Sequence, residues 1–250
     1  MATESGRRSA PRGEPSNQDT GSMTGRHELA RRLGAMARTL QDETDVEATL
    51  ATIVQSAVRL IPGVEEGSIS IVFGRSHVSS RVPSGDLPDQ IDQLQTTLGE
   101  GPCLDAAYEQ QTVRVSDLRH EQRWPRFTRG AYDLGARAML AIQLFVEHDN
   151  LGALNLYSRQ PNAFDDESEH IGLIFASHAA VALADAQEHE HLHLALSSRD
   201  LIGQAKGILM ERYDLDASQA FAVLTRYSQE SNRKLRDICA EISERAPDSK

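Results

Sequence analysis

Cysteine is scarce in this chain: Cys103 and Cys239 are its only thiols in 250 residues. They form no CxxC pair and suggest no disulfide framework, so a reducing cytoplasm fits. Long apolar runs are missing as well. No stretch reaches the ~18 apolar residues that a membrane span requires. The N-terminus has no continuous apolar core, which excludes a secretory leader. P-loop, GxGxxG and GxSxG signatures are absent. Aromatic residues make up 5%, with one tryptophan, Trp124. Positive charge is in deficit: 26 Lys and Arg face 37 Asp and Glu, a net charge of −11 that argues against a general nucleic-acid binder. The remaining balance, 25% charged and 39% apolar, is that of a soluble globular protein of one or two domains.

The acid is unevenly spread. Between Arg199 and Cys239 seven basic residues meet six acidic ones. Near neutrality predicts modest non-specific affinity for phosphates and leaves room for a small selective basic patch. The same stretch reads as three short amphipathic helices. Ile202, Ala205 and Leu209 share one face of the first. Ala220, Phe221, Leu224 and Tyr227 make the apolar stripe of the second, opened by a capping box at Asp216 and Gln219. The third starts near Ser231 or Asn232, both good N-caps, and buries Leu235, Ile238, Cys239 and Ile242. Three such helices on short turns make a compact bundle.

That bundle resembles the ANTAR domain, an RNA-binding output module of bacterial antiterminators. The resemblance rests on the run from Gln204 to Met210, on Ala220-Phe221 with Leu224, on Ser228, and on Asn232-Arg233-Lys234-Leu235. Thr225 stands where the family pattern has a basic residue, with Arg226 beside it, and Cys239 replaces a more usual Ala. The resemblance implies paired stem-loops in a nascent leader RNA as the target. It assigns Lys206, Arg226, Arg233 and Lys234 to phosphates, and Gln204, Ser228 and Asn232 to base or sugar hydrogen bonds. Tyr227 either stacks on a base or fills the core. Gly207 costs its helix about 1 kcal/mol relative to Ala. Its missing side chain admits a backbone or an RNA sugar, and Ala205 beside it keeps that surface low.

Upstream, residues 1–25 lack periodicity and read as a disordered tail. Leu29, Leu33, Met36 and Leu40 repeat helically, and a second helical run from Val46 to Leu60 stops at Pro62-Gly63. The period then changes to two. Strands are expected at Ser68–Phe73, at His77–Val82, at Thr112–Val115, and on either side of a turn at 148–150, over Met139–Glu147 and Leu151–Ser158. A short helix opens at Gly101-Pro102-Cys103, and Phe164 to Glu167 cap a long one. Gly152 and Asn155 suit tight packing in the last strand. This α+β order resembles the GAF fold, a sensory domain with an antiparallel sheet and flanking helices. The best matches are Leu98 to Ala106, the strand Gly152–Tyr157 and Phe164. GAF followed by ANTAR is an arrangement of actinobacterial regulators. The expected organisation is a tail over 1–25, a GAF-like domain with an N-terminal helix over 26–187, and an ANTAR domain over 188–247.

Three constellations carry competing readings. His189-Glu190-His191-Leu192-His193 satisfies HExxH, which on a helix marks zinc peptidases. It sits between two modules with no pocket-forming segment of its own, so the reading adopted is a solvated helix: no metal and no catalytic residue. Cys103 lies at a helix start, where the dipole lowers a thiol pKa. The plainer reading is a small buried residue at a tight turn, since no His lies nearby in sequence. Trp124, with Phe127 and Tyr157, either lines a GAF ligand pocket together with Cys103 or caps the core. No cofactor is singled out. From Asp166 to about Ser198 the chain reads as nearly continuous helix. Ile171, Ile174, His178, Val181 and Asp185 follow seven-residue spacing, a seam for a weak homodimer. The whole reads as a cytoplasmic sensor-regulator, not an enzyme, with no membrane partner.

Overall fold

The computed structural model describes residues 27, 30–40, 43, 45–73, 77–108, 111–147 and 149–244. The expected N-terminal tail over 1–25 lies outside them, as do Leu29 and the His148 of the expected turn. The chain divides into two compact units, with the main boundary inside one helix between Ala182 and Leu183, and with residues 45–48 grouped with the second unit.

The first unit is built on a sheet of five antiparallel strands: β1 (Glu66–Phe73), β2 (His77–Arg81), β3 (Thr112–Val115), β4 (Ala138–Val146) and β5 (Asp149–Ser158). Their order is β2-β1-β5-β4-β3. A helix over 30–40 (α1) buries Leu33, Met36 and Leu40, as its spacing predicts. It is followed by α2 (Val46–Leu60), α3 (Asp86–Leu98), α4 (Pro102–Tyr108) and α5 (Pro125–Asp133). The long helix α6 (Asp166–Tyr213) then leads to α7 (Ala217–Ser231) and α8 (Leu235–Glu244).

Strand alternation sorts the core. Met139, Ala141, Ala153 and Tyr157 pack with α3, α4 and α5 residues on one face of the sheet. Leu140 and Ile142 point the other way, where a Cβ added to Gly172 of α6 would meet the Ile142 side chain at 2.5 Å. Gly152 has φ 135, and a Cβ there would lie 2.0 Å from the Ser70 carbonyl oxygen. The expected close packing in β5 is therefore a requirement of its pairing with β1.

Two expectations change here. Asp86–Leu98, assigned no element above, form α3, which buries Leu87 and Ile91 and ends on Gly99 in the left-handed conformation. The second strand of the β4–β5 hairpin begins at Asp149 rather than Leu151. Side chains carry the local joints. Glu100 Oε1 accepts from the Arg126 and Phe127 amides, both at 3.0 Å, and so caps α5. Gln95 Oε1 accepts from the Cys103 amide at 2.9 Å, at the start of α4. Asp165 Oδ1 accepts from the Ser168 amide at 2.9 Å and opens α6.

Candidate functional site

In the second unit, the end of α6 packs with α7 and α8. Ala205, Leu209, Ala220, Leu224, Ile238 and Cys239 form its buried centre, with Ile202, Leu235 and Ile242 around them. The capping box is present: Asp216 Oδ1 accepts from the Ser218 and Gln219 amides, and Gln219 Oε1 accepts from the Asp216 amide at 2.9 Å. Three details differ from expectation. The first bundle helix is the end of the 48-residue α6 rather than a separate short helix. Phe221 and Tyr227 lie outside the stripe, 44% and 52% exposed, because three short helices close over a narrower core. Finally, α8 starts at Leu235, and Asn232 is instead the left-handed C-cap of α7, with φ 50 and ψ 36.

The expected RNA-facing residues fall into two sets. Ser228, Asn232 and Arg233 come together at the α7–α8 turn. There the Ser228 hydroxyl donates to the Arg233 carbonyl at 2.6 Å, and the Arg233 guanidinium meets Glu241 at 3.0 Å. Much of their bonding capacity is spent holding that turn. Arg226 lies 3.8 Å from Glu230, both well exposed, a loose pair that a phosphate can displace. Lys234 is exposed and Lys206 half-buried, and neither is ion-paired among the described residues. Gln204 and Gly207 are exposed on α6, with open space where a Gly207 side chain would stand. Ala205 does not share that surface. Two residues along a helix is about 200° of rotation, and Ala205 is buried in the bundle.

In the first unit, Cys103, Trp124, Phe127 and Tyr157 do converge, all within one core cluster under the sheet. Trp124 and Phe127 meet edge to face, with centroids 6.5 Å apart, and the indole N–H donates to Asp105 at 3.1 Å. Beside them lies a residue the sequence did not single out. Asp92 of α3 is 1% exposed and has no cationic partner among the described residues. Its carboxylate accepts from the Ser68, Ser80 and Tyr157 hydroxyls, each at 2.6 Å, and from the Asn155 amide at 3.3 Å. Burial raises its pKa, and the hydroxyl donors oppose that rise. Tyr157 is held well above the usual phenol range by burial and by the Asp92 charge, so it stays a donor. Burial also pushes the Cys103 thiol up to about 12, with the Asp92 charge adding to it. The helix-start dipole therefore yields to desolvation, and the plainer reading of Cys103 is the structural one.

His189, Glu190 and His193 are all exposed on α6. Among the described residues no group of three or more His, Cys, Asp or Glu could hold a metal ion. No helix among them is long and apolar enough to cross a membrane.

The family model described as GAF domain matches residues 43–184, and the one described as ANTAR domain matches 190–242. The chain belongs to the GAF family and carries an ANTAR domain behind its GAF domain. It is a regulator of that kind, an input domain joined to an output domain. Comparison with curated proteins gives no match. Among solved structures, the fold is similar to free methionine-R-sulfoxide reductase from Neisseria meningitidis, at 18% identity over 72% of this chain and 98% of that one, with TM-score 0.52. It is similar to the GAF domain of a phosphoenolpyruvate-protein phosphotransferase from Acinetobacter, at 14% over 66% and 98%, with TM-score 0.52. The corresponding Coxiella burnetii domain gives 16% over 65% and 96%, with TM-score 0.51. At such identities the likeness concerns the fold alone.

Proposed function

We propose that this chain is a cytoplasmic, signal-responsive regulator that binds stem-loop RNA in nascent leader transcripts and promotes antitermination under control of its GAF domain. The observation that carries the reading is the ANTAR match over residues 190–242, on a bundle that leaves Lys234 and Arg226 exposed in a chain otherwise rich in acid. Lys206, Arg226 and Lys234 contact phosphates. Gln204 and Gly207 offer a low helical surface to a sugar or base. Ser228, Asn232 and Arg233 hold the turn that presents Lys234, and Arg233 adds a phosphate contact when it leaves Glu241. We place the working boundaries at 26–187 for the sensor and 188–247 for the RNA module, after a tail over 1–25.

The chain acts without catalysis. A buried thiol held up to about 12 is a poor nucleophile, which disfavours redox chemistry at Cys103. Dimerisation is weak and runs through α6. Ile171 is buried within the sensor unit and does not join a seam, whereas Val181 and Leu192 are 62% and 54% exposed. A dimer places two RNA modules on one target and raises affinity for adjacent stem-loops through effective concentration. Lys206→Ala and Lys234→Ala test the reading. Each is expected to weaken binding of a stem-loop RNA and to lower its salt slope by about one, with far-UV circular dichroism unchanged. Unaltered affinity and slope in both variants would remove these residues from the interface.

A further inference from the structure

The sensor unit offers a second candidate site, away from the packed cluster around Cys103. Pro125, Thr128, Arg129, Tyr132 and Asp133 recur at three- and four-residue spacing, so they form one stripe of α5. With Leu118 and Arg119 from the preceding loop they line an open cleft of about 580 Å³. That is within the size range of small-molecule sites, although the lining is more polar than most.

Its chemistry is cationic and partly prearranged. The Arg119 guanidinium donates to the Tyr132 hydroxyl at 2.9 Å and lies 5.6 Å from that ring's centroid. Arg137 stacks on the same ring at 3.8 Å. Arg129 is exposed and makes no ion pair among the described residues. Of the two carboxylates at the cleft, Glu121 is engaged by Arg123 at 2.7 Å and by the amides of residues 122 and 123. Asp133 in the cleft, and Asp117 beside it, which accepts from the Arg119 amide at 2.9 Å, are the carboxylates set against Arg119 and Arg129. The surroundings agree: residues 112–137 hold six arginines against three acids, in a chain of net charge −11. An independent observation lies in the wall. Thr128 is 6% exposed, and its hydroxyl has no hydrogen-bond partner among the described residues. A buried hydroxyl left unpaired destabilises the protein that carries it unless something else uses the group.

We propose that this cleft is the sensory site of the GAF unit and takes a small organic anion, a carboxylate or phosphate ester on a flat or apolar body. Arg129 and the prearranged Arg119 receive the anionic group. Leu118, Pro125 and the Tyr132 ring cover the body, and the Thr128 hydroxyl supplies a further polar contact after a side-chain rotation. The assignment rests on the reading that the GAF domain is controlled by a ligand.

The test is a ligand-observed NMR titration of the full chain with four probes: benzoate, phenyl phosphate, benzamide and inorganic phosphate. No RNA is present, so failure here leaves the RNA reading standing, and failure to bind RNA leaves this cleft standing. Benzoate, phenyl phosphate or both bind, and neutral benzamide binds at least about tenfold more weakly. Inorganic phosphate, without a body to bury, also binds more weakly than phenyl phosphate. Arg129→Gln, a change at an exposed position, reduces anion affinity about tenfold. Thr128→Val melts no lower than wild type yet binds about fivefold more weakly, a combination that simple damage to the fold does not produce. The proposal is overturned if neither organic anion binds at about 10 mM, if benzamide matches benzoate, or if Arg129→Gln and Thr128→Val both bind as wild type. It is equally overturned if Arg129→Gln weakens stem-loop RNA binding and leaves benzoate untouched, since the cleft would then belong to an RNA surface.

Discussion

Tyr157→Phe removes one oxygen from the interior of the sensor unit and nothing else. That oxygen donates to Asp92 Oδ1 at 2.6 Å. The other donors to Oδ1 are long, Asn155 at 3.3 Å and Gln95 at 3.5 Å, and cannot replace it. A hydrogen bond to a charged, buried acceptor contributes about 1.5–3 kcal/mol, and the absence of a substitute donor places the loss in the upper half of that range. For a unit of this size each kcal/mol shifts the melting midpoint by roughly 2–4 °C, so a fall of roughly 5–10 °C is expected. Trp124, the only tryptophan, lies in the same core and reports urea unfolding directly. The effect also has a pH signature. Burial holds the folded pKa of Asp92 above its ordinary 3.8. Its contribution to stability is therefore fully present below 3.8 and is lost as pH rises through the folded value. Tyr157 donates to the ionised form and limits that loss, so the penalty of removing it grows as pH rises through the same window. A penalty below about 0.5 kcal/mol, or one that does not grow with pH, would refute the cage.

Three further outcomes follow from the same geometry. Native protein at pH 8 should resist iodoacetamide at Cys103, because the buried thiol is held up to about 12, and mass spectrometry should find that site labelled only after unfolding. Asp216→Ala deletes the α7 cap and should cost about 1 kcal/mol of bundle stability, read from urea curves followed by far-UV circular dichroism. Val181→Glu with Leu192→Glu should yield a monomer in sedimentation that binds one stem-loop but loses its advantage on a tandem pair. A dimer that binds tandem loops as wild type does would show that this face of α6 is not the coupling element.

Much of the fold was legible wherever one periodicity dominated. β4 and the second half of β5 read as short, nearly continuous apolar runs and are buried on both faces, and the bundle stripes at Ile202, Ala205 and Leu209 and at Leu235, Ile238, Cys239 and Ile242 pack as their spacing demands. The α3 helix carried an equally regular stripe, Leu87, Ile91, Leu94 and Leu98, ended by Gly99. It was diluted by Asp, Gln and an early Pro88, and so was assigned no element. Asp92 was not legible at all. Alone it resembles Asp86 and Asp89 of the same helix. Its role appears only when Ser68, Ser80 and Tyr157, up to 65 residues away, arrive from three strands. Asn232 shows a different limit. The residue type favoured at N-caps is also tolerated in the left-handed C-cap, so composition alone does not say which helix it serves. The four expected ligand residues did converge, but as packed core. The cleft on α5 draws on Arg119, Thr128, Arg129 and Tyr132, ordinary residues that only the fold brings to one place.

The most direct measurement is fluorescence anisotropy of a labelled RNA carrying two adjacent stem-loops, titrated with the full chain at fixed salt beside an unstructured RNA of equal length. Phosphate contacts alone would separate the two only modestly, because the number of charges is the same and only their density differs. The account predicts that the paired stem-loops bind at least about tenfold more tightly, and that Lys206→Ala with Lys234→Ala removes most of that preference. Equal affinity for the two RNAs, across concentrations that span monomer and dimer, would contradict it.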